Sequence, residues 1–232
     1  MSSVYWTEYW KNKDFKSDEH RNKQIGRTVH GQVVCDDIWA QTVKFVIEQC
    51  DFNKDSEMLE LCAGNGMLSI PVAKIIKSVV AIDINNQLLA ILNEHALKEN
   101  IDNITTICDD IINIEFKERF SHVMFYFSLQ HFNEKKTLFI FEKIYHALRT
   151  NGIFYIGDIP DQRKLWVFAG TTAYENCFFD RLKNDQPAIG QWFDQDFLIK
   201  LARYTGFSSA IIIHQPPWQC NSKYRFDMMI KK

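Results

Sequence analysis

The stretch that most constrains the fold is Met58-Leu59-Glu60-Leu61-Cys62-Ala63-Gly64-Asn65-Gly66-Met67-Leu68-Ser69-Ile70. A short apolar run ends in a carboxylate and small residues, two glycines follow, and a helical pattern begins. Strand, glycine turn, helix is how an α/β sheet presents open backbone to a nucleotide-like ligand. Glycine reaches positive φ without penalty and carries no Cβ to block the approach, and the first turn of the new helix offers unpaired N–H groups.

The rest of the chain continues the alternation. Ser78–Asp83 is an apolar run ending in an acid, which reads as a buried parallel strand. Asn86–Glu99 follows as a helix with Leu88, Leu89, Ile91 and Leu92 on its apolar side. Asn103–Cys108 is a third strand, Phe120–Phe127 a fourth, Asn133–Leu148 a helix stopped by Thr150-Asn151-Gly152, and Ile153–Asp158 a fifth strand. The first helix is expected over about Met67–Ile76, with Pro71 tolerated in its first turn. The ending is different: Asp194–Tyr204 is a helix, and Ser208–His214 and Tyr224–Ile230 are strands joined by a loop without a crossover helix, hence an antiparallel pair at the sheet edge. The fold class is therefore α/β: a Rossmann-like, seven-stranded, mostly parallel sheet with an antiparallel last strand and helices on both faces.

Two regions depart from the alternation. Residues 1–50 are read as an N-terminal helical cap, in which Tyr5, Trp6, Tyr9 and Trp10 recur at helical spacing. These rings either pack on the main domain or close over the ligand. Ile38, Trp39, Val43, Phe45, Val46 and Ile47 supply the buried side of a helix capped by Asp36 or Asp37. Residues 51–232 form the main domain, with an insertion at about 159–193 whose aromatics serve either as a wall above the strand ends or as a small core of their own.

Bulk properties exclude several classes. A net charge of −2 and 46% hydrophobic residues suit a globular domain with no basic field for nucleic acid and no polybasic membrane patch. Six scattered cysteines make no Cys-x-x-Cys pair, and no His, Asp or Glu cluster has ligand spacing, so no metal site is expected. There is no signal-like N-terminus and no membrane-length apolar run, so a cytoplasmic location with reduced thiols is expected.

The glycine turn suits two cofactors. Gly64-x-Gly66 followed by Ser69 is a near match to the dinucleotide fingerprint, and Asp83, an acid about 20 residues on, can accept from ribose hydroxyls in either case. Glu60-Leu61-Cys62-Ala63-Gly64-Asn65-Gly66 resembles the first motif of the class I S-adenosylmethionine (SAM)-dependent methyltransferases, with Cys62 where that family more often has glycine. Over about residues 55–232, Asp109-Asp110-Ile111 after the third strand, Ser128-Leu129-Gln130-His131-Phe132 after the fourth and the antiparallel ending resemble the same family, although Ser121 or His122 stands where an aspartate is common. The Tyr-Trp pairs and Gly26-Arg27-Thr28 look like those of methyltransferases from surface-polysaccharide gene clusters.

That resemblance implies SAM as cofactor and S-adenosylhomocysteine (SAH) as product. Glu60, Cys62, Gly64, Asn65, Gly66, Asp83, Ile84, Asp109, Asp110, Ile111, Phe127 and Ser128 would bind it, with Asp109 near the adenine amino group; Asp110 could equally cap a helical turn. Tyr9, Trp10 or Phe127 would face the sulfonium, and Arg27 either holds the methionine carboxylate or is merely solvated. His131 is expected as general base or substrate-orienting group, or hydrogen-bonds only locally, with His30 in reserve. The expected activity is methyl transfer to a small molecule, with an oxygen of a sugar or related metabolite favoured and nucleic acid disfavoured, since the Asn-Pro-Pro-aromatic segment of DNA amino-methylating relatives is absent. The competing readings are an NAD-dependent oxidoreductase and a non-catalytic SAM-binding module. Oligomeric state is left open.

Overall fold

The computed structural model describes residues 3–16, 19–29, 31–117, 119–186 and 190–232. The N-terminal segment holds α1 (Ser3–Asn12), α2 (Arg21–Gln24) and a short hairpin of β1 (Thr28–Val29) and β2 (Gln32–Val33), followed by α3 (Asp36–Cys50). His30 lies outside the described residues. The main sheet follows: β3 (Glu57–Leu61), α4 (Ser69–Ala73), β4 (Ser78–Asp83), α5 (Asn86–Lys98), β5 (Ile104–Cys108), β6 (Phe120–Tyr126), α6 (Glu134–Ala147) and β7 (Leu148–Pro160). The chain ends in α7 (Leu165–Phe168), α8 (Thr172–Lys183), α9 (Gln195–Tyr204), β8 (Ser209–Ile213) and β9 (Arg225–Lys231).

The seven strands run β5-β4-β3-β6-β7-β9-β8. The first five are parallel, and β9 pairs antiparallel with both β7 and β8. The sheet thus has the expected class, and its order reverses between β3 and β6, which opens a crevice at their C-terminal ends.

Alternation along each strand splits the core in two. Leu59 and Leu61 of β3 and Val123 and Phe125 of β6 face α6 and α9, through Ile140, Phe141, Ile144, Leu198 and Ala202. Met58, Met124 and Tyr126 face the other way, onto Trp39, Val43 and Val46 of α3 and Leu89 and Leu92 of α5. Each such buried side chain contributes about 1.5–3 kcal/mol. α3, the last helix of the segment read as the N-terminal cap, contributes Trp39, Val43 and Val46 to this core.

Several local expectations are corrected. The helix after the glycine turn begins at Ser69, because a start at Met67 would require an N–H from Pro71; from Ser69 the proline falls in the first turn, where none is needed. Cys35, with neither Asp36 nor Asp37, occupies the N-cap of α3, and the two aspartates sit in its first turn, favourable to the helix dipole. Thr150-Asn151-Gly152 does not cap α6, which stops at Ala147. Asn151 at φ +63° lies within β7, where the register against β6 shifts.

Candidate functional site

Three adjacent strand ends bend the same way. Cys62 directly after β3 (φ +55°), Phe127 directly after β6 (φ +61°) and Asp158 within β7 (φ +59°) all have left-handed backbone without being glycine. Such a conformation costs roughly 1–2 kcal/mol each and clusters where a site imposes it. It also explains why glycine is the more common residue at position 62.

The end of β4 fixes the glycine turn. Asp83 Oδ2 accepts from the Gly64 N–H at 2.8 Å and Oδ1 from the Asn85 N–H at 2.9 Å. On the other side, the Trp39 indole of α3 donates to the Met67 carbonyl at 3.1 Å. Gly64, at φ +56°, brings its backbone against Ile25, whose Cγ2 an added Cβ would meet at 2.9 Å.

A pocket of about 630 Å³, counted out to its open mouth, lies over these strand ends. It is lined by Trp10, Arg27, Glu60, Cys62, Gly64, Asp83, Ile84, Phe127, Ser128 and His131, which the sequence reading singled out. A second compartment adjoins it, sharing Cys62, Ile84 and His131 and adding Asp109, Asp110 and Ile111. Asp110 also accepts from the Ile112 N–H at 3.0 Å, so it holds its own turn while lining the compartment.

Three of the expected contacts fall elsewhere. The Asn65 side chain is fully buried away from the pocket, donating to the Arg21 carbonyl at 2.9 Å and to Gln24 Oε1 at 2.7 Å, because the polar α2 needs a partner under it. Gly66 (φ +77°) is a packing glycine, with Leu92 Cγ 2.5 Å from where a Cβ would be. Tyr9 lines an outer cleft and is 41% exposed. The sequence reading missed the apolar wall of Ile25, Ala63, Met67, Leu68, Leu88 and Tyr126, and Trp6 and Thr7 over the second compartment. Leu68 and Ala63 border the glycines, and that adjacency was the available signal.

The electrostatics are unusual. Burial pushes the Glu60 carboxyl up to about 8, although the Ser69 hydroxyl donates to it and Arg27 lies near. Burial also raises Asp83 to about 6, against the pull of the two backbone donors. Arg27 is not a solvated arginine. Its guanidinium stacks 3.5 Å from the Trp39 ring, with Tyr126 and Phe127 at 5.0 and 5.3 Å, and its Nε is buried without a partner. That idle, cationic donor beside two acids fits a zwitterionic, amino-acid-like ligand.

His131 sits beneath the rings of Trp6 and Trp10, at centroid distances of 4.6 and 5.6 Å. The Trp10 indole donates to His131 Nε2 at 3.2 Å. Burial, and then the charge of Arg225, lower the imidazole pKa to about 3. A group held this low is neutral at neutral pH. Since Nε2 accepts, Nδ1 carries the hydrogen, and that donor is buried without a partner. Asn85 completes the attachment of α1, its Nδ2 reaching the carbonyls of Trp10 at 2.7 Å and Lys13 at 3.1 Å.

Beyond Phe127 and His131 the pocket opens into the outer cleft, whose walls include Tyr9, Trp10, Phe168, Tyr174 and Tyr224. The aromatic rings of the two segments divide between the cleft and other surroundings. Trp6 and Trp10 turn inward, while Tyr5 is 43% exposed; Phe168 and Tyr174 line the cleft, while Trp166 packs on Phe178 and Phe179 at 5.5 and 5.9 Å in a cluster of its own. Among the described residues no group of three metal-ligating side chains occurs, and no helix is long and apolar enough to cross a membrane.

Comparison with known proteins agrees with this geometry. Residues 58–152 match the family model described as a methyltransferase domain. Over 74 residues the chain is 34% identical to the probable ribosomal RNA small subunit methyltransferase A of Methanosphaera stadtmanae, a match spanning 32% of this chain and 27% of that one. Among solved structures, magnesium protoporphyrin IX methyltransferase from Synechocystis PCC 6803 with bound SAM superposes with a TM-score of 0.63 at 11% identity, over 99% of this chain and 96% of the other. Phosphoethanolamine N-methyltransferase 1 of Haemonchus contortus, in complex with phosphoethanolamine and SAH, gives 0.68 at 13% identity, over 98% of this chain and 47% of the other.

Proposed function

We propose that this chain, which carries a class I SAM-dependent methyltransferase domain, moves the methyl group of SAM to a hydroxyl oxygen of a small ring molecule, a sugar or related metabolite. The observation that carries the reading is the pocket at the β3/β6 reversal, where the side chains of Glu60, Asp83 and the cationic Arg27 line one cavity. SAM presents an ammonium, a sulfonium and a carboxylate, and this donor set is complementary to all three. A dinucleotide pyrophosphate would meet two acids there, and Ser69, at the position of a third fingerprint glycine, is buried and bonded to Glu60.

When bound, SAM supplies an activated methyl on a cationic leaving group, so the protein's task is alignment, which can be worth about 7–11 kcal/mol. Asp83 and the Gly64 backbone would hold the nucleoside, with Asp109, Asp110 and Ile111 beside the base; Arg27 would hold the amino-acid carboxylate. Ser128 and Ile84 would line the passage between the two compartments. The Phe127 and Trp10 rings, at the junction with the outer cleft, suit a sulfonium through cation–π attraction. His131, with Nε2 taken by Trp10, would orient the acceptor through its Nδ1 hydrogen. The aromatic outer cleft supports a ring-shaped acceptor, whose apolar face can lie on Tyr9 or Tyr224.

The test is to incubate the full chain with methyl-labelled SAM and pools of hydroxylated metabolites, and with small-subunit ribosomal RNA in a separate arm. SAH release with label in a small molecule is expected. Label in RNA alone would overturn the acceptor reading, and SAM binding without SAH in any arm would favour a non-catalytic module.

A further inference from the structure

We infer that the acceptor is a hydroxylated ring bearing an oxyanion, a carboxylate or a phosphate, gripped by Arg225 on the wall of the outer cleft; this rests on the methyl-transfer reading above. Arg225 opens β9 and is 7% exposed. Its Nη1 donates to the Asp158 carbonyl at 2.6 Å, and its guanidinium lies 4.9 Å from the Phe127 ring. The other edge of the guanidinium is idle. Nε is buried with no partner, and Nη2 makes no hydrogen bond among the described residues. Nε and Nη2 form the parallel pair with which an arginine grips two oxygens of one anion. Leaving a donor such as Nε buried and unmet is costly, and a bound oxyanion removes that cost.

The internal anion, Asp158, meets only the Nη1 side of Arg225 and is shared with two amides. Asp158 lies 3.8 Å from Arg225 Nη1, but its Oδ1 accepts from Gln215 at 3.0 Å and its Oδ2 from Asn221 at 3.2 Å. No carboxylate lines the cleft among the described residues, whereas a second cation does. Lys13 hangs over the rim with its ammonium 4.9 Å from both the Trp10 and Phe15 rings, and no ion pair with a described residue holds it. The Arg225 charge is also felt at His131, where it adds to burial in keeping the imidazole neutral, the sign of a locally positive cleft. Hydroxyl recognition comes from the same wall: Gln130 lines the cleft with its Oε1 buried and unpartnered, complementary to the His131 Nδ1 donor.

The experiment is calorimetry on the full chain loaded with SAH. The probes are 4-hydroxybenzoate against its methyl ester, and glucuronate and glucose 6-phosphate against glucose. At least one anion is expected to bind about 10- to 100-fold more tightly than its neutral counterpart, and the stronger of the carboxylate and phosphate arms names the oxyanion. Arg225→Gln should abolish that preference, and Lys13→Gln should reduce it a few-fold. Equal binding of anion and neutral counterpart, no anion binding at millimolar concentration, or a preference that survives Arg225→Gln would overturn the inference while leaving methyl transfer standing. If Arg225→Gln fails to fold, judged by lost SAH binding, a preference indifferent to both Lys13→Gln and high salt would overturn it. A wild-type chain that binds neither SAM nor SAH would refute the methyl-transfer reading and the inference with it.

Discussion

The two walls of the site are built in different ways. The proposed cofactor wall comes mainly from one continuous stretch of chain, β3 through β5, where Glu60, Gly64, Asp83 and Asp109 follow one another at strand ends, with Arg27, Phe127 and Trp10 added from outside it. The proposed acceptor wall is assembled from distant parts: Tyr9 of α1, His131 after β6, Phe168 of α7 and Arg225 of β9. The Trp10–His131 bond alone joins residues 121 positions apart. The first wall is held by backbone geometry and strand register, the second by rings and side-chain hydrogen bonds between separately positioned elements. The first should therefore tolerate little change and bind a fixed ligand. The second can be altered one residue at a time, with effects on acceptor use that leave cofactor binding in place.

Changes that break the cofactor wall should have the largest effects. Gly66→Ala places a Cβ on Leu92 at positive φ and should destabilise the fold by about 2–5 kcal/mol, the sum of left-handed strain and overpacking, read by urea denaturation. Asp83→Ala removes the acceptor of two backbone N–H groups and should weaken SAM binding by about 10- to 100-fold, read by calorimetry. Tyr224→Ala, on the acceptor wall, should lower kcat/KM for the acceptor by about 10-fold, as expected for loss of an aligning contact, with SAM affinity moved much less. If instead both parameters fall together, the walls are not separable.

The pH response divides the same way. Glu60 keeps its proton up to about 8 and Asp83 up to about 6, above their ordinary values of 4.5 and 3.8. The folded chain therefore binds more protons than the unfolded one over that window. This contribution to stability is fully present below the ordinary carboxylate range and is lost as pH rises through 6 and then 8. His131, lowered from 6.5 to about 3, acts oppositely: its contribution is present above 6.5 and is lost as pH falls toward 3. The Tm of the free chain should fall between pH 6 and 8, and SAM, whose cationic groups favour the ionised acids, should flatten that fall. An unchanged slope with saturating SAM would separate Glu60 from the cofactor. The smallest effect expected is from Cys62→Gly, which relieves the left-handed backbone at +55° and should change stability by no more than about 1 kcal/mol, measured as a shift in denaturation midpoint.

The same contrast governs what was legible in the sequence. Strands ending in Glu60, Asp83 and Asp109 could be read because a parallel strand and its turn are local patterns, and the antiparallel ending followed from the missing crossover helix. The packing of Asn65 on α2 and of Gly66 on Leu92 was not legible, because spacing cannot tell a glycine that faces a ligand from one that faces Leu92. Arg225 carried no local signal at all. It lies in an ordinary apolar strand, and its place beside Phe127 arises only when β9 pairs with β7. His131 was found by position, but its tautomer depends on Trp10, and no pattern in either segment records that bond.

The central claim, that the glycine turn and Asp83 hold SAM, is tested most directly by calorimetric titration of the purified chain with SAM, SAH and NAD in parallel. Binding of SAM and SAH at one site per chain, with no heat from NAD, is the predicted result. Saturable binding of NAD without SAM or SAH would contradict it.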